Sequence, residues 1–345
     1  MSVKSIALNH LESRDRVADK AGRRAALMWQ RDMSVTALDQ GWDLIARPLV
    51  DAVTLGQLTA ARQATPYVNR AMAEQNLPHV GDPIEPVAFA GVTREGREIA
   101  PELYASVTQT KTLIGRGMGV GAAFASGMSM LQVMAATIVR DAWRAADDVA
   151  SVARGGVMMA RVVQPGACSR CAILAGVGHF TRHFERHPGC RCQTIPVSTT
   201  RDVLDFPEGL YSSPEEYFKD LSAAEQDRVF TRAGAEAIRN GADPIQVVNA
   251  RRGSIKRPSG RLRAVQIGAR PDGTPIMGYA TVEGTSSRGM FGGLELSRTG
   301  QYTRRSSDRY RRTRTQRLMP ESIFKIAGDD HNRAVQLLKR YGYIR

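Results

Sequence analysis

The chain has 345 residues, 42% of them hydrophobic and 24% charged, with a formal net charge of +14. That length and apolar content exclude a disordered polyelectrolyte and allow two or three domains with real cores. The excess charge is local: residues 251–317 hold 16 Lys/Arg against 4 Asp/Glu, so this segment carries +12 and everything else +2, which points to a polyanionic partner for one segment only.

The stretch Met1–Arg31 alternates charged and apolar residues and lacks the apolar core and cleavage site of a secretory signal, so reduced cysteines in a reducing compartment are expected. From about Ser13 to Ala64, Leu27, Leu38, Trp42, Ile45, Leu49, Val53 and Leu58 recur at three- and four-residue steps. They predict at least two helices, with Gly22, Gly41 and Pro48 as interruptions. Residues 65–100, punctuated by Pro66, Pro78, Gly81, Pro83, Pro86 and Gly91, predict an irregular connection with one short helix near Val68–Gln75.

Helical pattern resumes near Pro101. In Ser129–Val163 one stripe runs through Leu131, Met134, Ile138, Ala142, Ala145, Val149 and Val152, with Arg140, Asp141, Arg144, Asp147 and Asp148 mostly off it. The 23-residue uncharged run Gly117–Val139 has the length of a membrane span, but it spends four positions on glycine and only six on Leu, Ile, Phe or Val, so a buried helix and no membrane are expected. Gly117-Met-Gly119-Val-Gly-Ala122 fits a loosened dinucleotide fingerprint. That fingerprint needs alternating strands and helices around it, and here helix follows helix, so close-packed glycines are the better reading.

All four cysteines, and three of the six histidines, fall within Cys168–Cys192. Cys168-Ser-Arg-Cys171 forms a knuckle that aims two sulfurs at one point, and His187-Pro-Gly-Cys190-Arg-Cys192 can present further ligands from the opposite side. This set suits tetrahedral Zn²⁺ in a closed, structural site, with Cys190 and Cys192 competing for the fourth position. A disulfide and a metal-free thiol cluster are the alternatives. Cys168 as nucleophile with His187 as base would make a hydrolase, but no orienting third group or oxyanion hole is evident in the sequence. His179 and His183, flanked by aromatic and basic residues, read as ordinary surface or packing histidines.

Residues 196–210 read as extended. Ser213-Pro-Glu-Glu216, Ser222-Ala-Ala-Glu225 and Asp243-Pro-Ile-Gln246 are helix starts, predicting helices near 214–220, 223–240 and 244–251. From Arg252 to Arg317 apolar residues are scarce and little core is expected, apart from a hairpin across Pro271-Asp-Gly273. Pro320-Glu-Ser-Ile323 starts one terminal helix and Gly328-Asp-Asp330 caps another, whose apolar side is Ala334, Leu337, Leu338 and Tyr341. The expected fold is mainly α, with a small zinc-stapled α+β module and a basic, loop-rich C-terminal region. Its divisions are 1–100, 101–200, 201–253, 254–317 and 318–345.

Pro165-Gly-Ala-Cys168-Ser-Arg-Cys171-Ala-Ile-Leu-Ala-Gly176 followed by Arg186-His187-Pro-Gly-Cys190-Arg-Cys192 resembles the hallmark of the Mu F-like head-morphogenesis family, the minor capsid proteins of tailed bacteriophages. Leu221–Arg228, Gln246–Arg252 and the ending Leu338–Tyr343 look like the version carried by phages of actinobacteria. The resemblance implies a structural protein inside the virion head near the portal vertex, present in the host cytoplasm during assembly; some relatives carry toxin or maturation-protease domains, but no Ser/His/Asp or Ser/Lys constellation stands out after Cys192, so no enzyme is expected. Its implied partners are the portal protein and other capsid components, with a part in head assembly and in genome packaging or delivery.

With that context, Arg257, Arg261, Arg263, Arg304, Arg305, Arg309, Arg311, Arg312 and Arg314, with Tyr302 and Tyr310 interleaved, are expected to neutralise phosphates of double-stranded DNA without reading sequence. An acidic capsid or portal surface is the other possible partner of this segment. No small-molecule substrate is expected. The rivals are a Cys-His hydrolase or maturation protease, and a helix-turn-helix regulator over Ala233–Arg252, whose second helix offers Gln246 as its one usable base reader.

Overall fold

Five helices open the chain: α1 (Val3–Asp32), α2 (Leu38–Ala61), α3 (Ala64–Ala73), α4 (Ile99–Gly115) and α5 (Val120–Val152). This computed structural model describes residues 2–78, 81–155, 157–164, 166–176, 178–179, 192–198, 210–257, 261–269, 271–304 and 306–345, and these are mainly helical, with 59% helix and 11% strand among the described residues. The chain divides into two units, residues 1–164 with 176–212 and residues 165–175 with 213–345. Residues 1–100 and most of the expected 101–200 region, 101–164 and 176–200, thus fall in one unit.

In the first unit α5 packs against α1, α2 and α4 around a cluster that includes Trp29, Leu49, Val53, Leu103, Leu131 and Trp143. Glycines permit the close approach. A Cβ on Gly22 would sit 2.7 Å from the Gln132 carbonyl oxygen, and one on Gly56 would sit 2.9 Å from Val139 Cγ2; Gly22 lies within α1 and Gly41 within α2, so neither is the interruption expected. Pro48 likewise lies within α2, on its exposed side with Leu44, whose carbonyl an N–H at position 48 would otherwise meet, so the lost bond falls on the solvent face. By length and composition α5 is apolar enough to cross a bilayer, and Ala123, Gly127, Leu131, Ala135 and Val139 along it are buried. The glycines before it form the α4–α5 connection, with Gly117 at φ +85° and no strand preceding it.

A second cluster joins the start of α1, α3 and the last turns of α5 to an antiparallel sheet of order β2-β1-β3, formed by β1 (Val157–Val162), β2 (Gly178–His179) and β3 (Gln193–Ser198). Met159 pairs with His179 on one side and Pro196 on the other. Two expectations change here. Leu27 is 64% exposed, and the predicted stripe of α5 fails at its end, where Val149 and Val152 face solvent while Arg144, Asp147 and Asp148 are buried. The charged residues turn inward because α1 and β3 offer them partners: Asp147 meets His10 at 3.0 Å and accepts from Gln193 Nε2 at 2.6 Å, and Asp148 accepts from Thr194 Oγ1 at 2.7 Å.

The second unit contains α6 (Ser169–Ala172), then α7 (Pro214–Asp220), α8 (Ala223–Phe230), α9 (Arg232–Arg239) and α10 (Pro244–Arg252). The caps read from sequence are in place: Ser213 accepts from Glu216 N–H, Ser222 and Glu225 complete a reciprocal box, and Asp243 accepts from Ile245 and Gln246 N–H. The single helix expected over 223–240 is broken at Thr231, whose φ of 67° and ψ of 154° end α8 and whose side chain accepts from Gly234 N–H to start α9.

Beyond Arg252 come β4 (Val265–Ala269), β5 (Pro275–Gly278), β6 (Ala280–Thr281), α11 (Met290–Thr299), β7 (Tyr302–Thr303), β8 (Arg312–Thr313), β9 (Arg317–Leu318), α12 (Pro320–Ala327) and α13 (His331–Arg340). The strands pair as β4–β5, β6–β9 and β7–β8. The β4–β5 hairpin turns at Asp272-Gly273, where Asp272 accepts from Thr274 N–H at 2.9 Å and Gly273 takes φ +81°. The backbone N–H of Thr274 also holds the Asp272 carboxyl below its ordinary pKa. Residues 252–317 are poor in apolar side chains, yet they gather around a small core because the C-terminus supplies what they lack. Phe291 is buried 5.5 Å from the Tyr341 ring, and Leu318, Leu338 and Tyr343 are buried as well.

Candidate nucleic-acid interface

Short strand pairs hold the basic segment in place. Ser254 bridges Thr281, Ile255 N–H donates to Ala280 O at 3.2 Å, and Arg263 N–H donates to Ile255 O at 2.9 Å. This fixes Arg257, Arg261 and Arg263 on a chain whose side chains have few apolar neighbours to cover them. The second group of arginines is set by β7–β8, whose register pairs Tyr302 with Thr313 and Thr303 with Arg312.

Arg257, Arg261, Arg263, Arg304, Arg309, Arg311 and Arg314 are exposed, and none of the seven forms an ion pair among the described residues. Arg312 is half-buried instead: its guanidinium reaches Asp308 at 3.5 Å and donates to Thr285 Oγ1 at 3.3 Å. It braces the loop, so its charge is partly spent within the fold. Arg305 lies outside the described residues.

The interleaved tyrosines act on these arginines directly. Arg311 lies 4.4 Å from the Tyr302 ring centroid, and Arg314 Nε donates to Tyr302 O at 3.4 Å. Arg288 and Arg309 lie 5.4 and 5.5 Å from the Tyr310 ring, with Arg288 also donating to the Tyr310 hydroxyl at 3.0 Å. Stacking a guanidinium on an aromatic face limits its rotamers while leaving its N–H edge available. Beneath this surface Glu295 is buried on α11 and accepts from Arg298 at 2.9 and 3.1 Å and from Thr315 Oγ1 at 2.7 Å; the Arg298 bonds hold its carboxyl below the ordinary range. One of the segment's four acids is thereby turned inward.

Of the proposed metal ligands, Cys168 is exposed at the N-cap of α6 and Cys171 is buried three residues on, with Cys171 N–H donating to Cys168 O at 2.9 Å. That one-turn arrangement is the local form a two-thiol knuckle takes, and thiols are a zinc-type donor set. Cys192, in the other unit, is buried beside the start of β3. His187 and Cys190 lie outside the described residues. Among the described residues no three His, Cys, Asp or Glu side chains are grouped to hold a metal ion.

Two features carry no signal in the sequence. Arg317 is fully buried and donates to the carbonyls of Tyr341, Gly342 and Glu283 and to Gln246 Oε1. In the sequence it reads as one more arginine of a basic run. Gln246, the one base reader available to a helix-turn-helix, therefore spends its amide oxygen on Arg317. The second feature is the His10–Asp147 centre of the first unit. His10 Nε2 lies 3.0 Å from both Asp147 oxygens, and the Trp143 indole N–H reaches the same nitrogen at 2.6 Å. The His10 ring stacks on Tyr67 at 3.8 Å, and Arg14 Nη1 donates to Gln193 Oε1 at 3.1 Å. An isolated His on helical spacing gives no hint of such a partner 137 residues away. Comparison with protein-family models, curated proteins and solved structures finds no match to this chain.

Proposed function

We propose that the chain is a structural minor capsid protein of the head-morphogenesis type, which touches packaged DNA without sequence preference through its basic C-terminal segment. The observation that carries this reading is the set of seven exposed arginines, unpaired among the described residues and partly ordered by Tyr302 and Tyr310. Such a surface suits a regular phosphate backbone, whose contacts need charge at the right height and no base edges. The resemblance of the Cys168–Cys192 motif to the Mu F-like hallmark supplies the setting: the interior of the virion head near the portal, with portal and capsid proteins as partners. In this reading Zn²⁺ is structural, held by Cys168, Cys171, His187 and one of Cys190 and Cys192. The protein works by binding and not by catalysis.

The test is duplex binding by fluorescence anisotropy over a salt series, using random-sequence DNA and a variant with Arg257, Arg261, Arg263, Arg304, Arg309, Arg311 and Arg314 changed to glutamine. Wild-type affinity should fall steeply with salt, with a log–log slope of about −0.9 for each phosphate contacted, and the variant should lose most of that slope. Deleting residues 252–317 is a poorer probe, because it would remove Arg317 and Phe291 from the core. Salt-insensitive binding, or an enriched sequence in a random pool, would count against the proposal.

A further inference from the structure

The two residues between Cys168 and Cys171 help to line a pocket of about 200 Å³ in the second unit. Ser169 and Arg170 face it from α6, Arg251, Arg252 and Lys256 from the end of α10 and the chain beyond, and Thr231 from the α8–α9 break. Among the described residues the lining contains four cationic side chains and no carboxylate. Arg251 is engaged by Glu321. Arg170, Arg252 and Lys256 are exposed and form no ion pair among the described residues, so three uncompensated positive charges surround one small depression. Phe230, also in the lining, is buried.

From this we infer a binding site for a single phosphoryl group, with Arg170, Arg252 and Lys256 as the charged ligands and the Ser169 hydroxyl as a neutral donor. Size sets the class of ligand: pockets for whole small molecules begin at roughly 300 Å³, so this one takes a group and not a nucleoside. Charge sets its valence, since three cations are matched by a dianion better than by a carboxylate. Two guanidinium forks and an ammonium also supply more donors than two carboxylate oxygens can accept, whereas phosphate offers three or four oxygens. Thr231 fits a built site. A β-branched residue at φ 67° and ψ 154° is an arrangement a fold keeps only where neighbouring structure imposes it, and here it turns the chain at the pocket's rim. Arg252 and Lys256 belong to the basic segment, but none of the three charged ligands is among the seven arginines proposed to meet DNA, so the two readings can be tested apart. The phosphoryl group has two possible sources, the backbone of a nucleic acid or a free phosphorylated small molecule.

The experiment is titration of the full-length protein with inorganic phosphate at fixed ionic strength, using chloride as the reference anion, followed by calorimetry. The comparison is the triple variant Arg170→Gln, Arg252→Gln, Lys256→Gln. The wild type should bind phosphate at one site, and the triple variant should bind it at least about tenfold more weakly. The seven-arginine variant used for DNA binding should keep full phosphate affinity, which separates failure of this site from failure of the DNA reading. Competition by a short duplex identifies the source: displacement of phosphate assigns the site to a nucleic-acid backbone, and binding of both together assigns it to a free phosphorylated ligand. If the triple variant does not fold, Arg170→Gln and Lys256→Gln singly should each weaken phosphate about threefold. No phosphate binding above chloride in the wild type, or equal binding by the variants, overturns the inference.

Discussion

The Arg317 guanidinium lies 4.2 Å from the centroid of the Tyr343 ring, with its Nε 2.8 Å from the Tyr341 carbonyl oxygen and its Nη2 3.0 Å from that of Gly342. A buried cation thus ties β9 to the last residues of the chain. Gly342 takes φ +67° there, and a Cβ on it would sit 2.9 Å from Phe291 N, so the C-terminal turn that supplies the arginine's acceptors is packed closely against α11.

Burial pushes the Arg317 pKa down, which marks the cost of stripping water from the charge; the four acceptors and the Tyr343 ring offset it. Arg317→Met should leave those acceptors open and destabilise the protein by about 3–5 kcal/mol. Arg317→Lys should recover less than half of the loss, because an ammonium cannot reach three directions in one plane. Denaturant midpoints measure both, and a lysine variant as stable as the parent would mean that charge alone is enough.

Tyr343 donates its hydroxyl to Leu318 O at 2.9 Å, and burial pushes its pKa up, as it does for Tyr341. The folded state holds both phenols in the protonated form. Their stabilisation is therefore complete below the unfolded tyrosine pKa of about 10 and is lost as pH rises toward the raised folded values. Unfolding free energy should fall above pH about 10, by up to about 1.4 kcal/mol per pH unit for each tyrosine. Tyr343→Phe should flatten that decline while costing about 1 kcal/mol at neutral pH. Melts between neutral and alkaline pH test it; an unchanged slope in the variant would assign the loss to other groups.

Local signals were the most legible part of this sequence. Ser213, Ser222, Asp243 and Asp330 each cap the helix their spacing announces, because a cap is decided within four residues. What was hidden depends on residues far apart. The end of α5 buries Asp147 in place of Val149 because His10 and Gln193 meet it from α1 and β3, and the basic segment gains a core because Tyr341 and Tyr343 come to it from the terminus. For the site, arginine spacing identified the exposed surface, but it could not separate Arg311, stacked on Tyr302, from Arg312, braced against Asp308, or from Arg317, buried in the core.

The His10–Asp147 centre should behave as a coupled pair. Asp147→Leu leaves His10 and the Gln193 amide facing an apolar side chain and should cost about 3–5 kcal/mol. With His10→Leu added, the double variant should lose less than the sum of the singles, giving a coupling energy of about 1–3 kcal/mol. Chemical denaturation of the four proteins closes the cycle. Strict additivity would show that the two side chains do not share their stabilisation.

At Thr231 two effects oppose each other. Its hydroxyl caps α9 through Gly234 N–H at 3.3 Å, while its φ of 67° is one that glycine alone adopts freely. Relief of the strain, about 1–3 kcal/mol, exceeds the few tenths lost when glycine replaces a threonine cap. Thr231→Gly should therefore raise the melting temperature. Thr231→Ala keeps the strain, loses the cap, and should lower stability by about 1 kcal/mol. If both variants are destabilised, the backbone at this break is less strained than its angles indicate.

The cysteine module makes the sharpest chemical prediction. A closed structural zinc site binds one metal ion per chain, protects its thiols from titration, and links metal binding to folding. The protein as purified should carry one zinc, and chelation should lower its melting temperature while exposing thiols that were unreactive before. Cys168→Ser and Cys171→Ser should each reduce zinc content, since both come from the same knuckle. Cys190→Ser and Cys192→Ser separate the remaining candidates by a further criterion: Cys192 is wholly buried, so its loss should lower stability even in the apo protein, whereas loss of a thiol that serves only as a ligand should lower it only in the metal-loaded form. A chelator-insensitive melt with thiol reactivity unchanged by chelation would leave Cys171 and Cys192 as buried packing residues and remove zinc from the account.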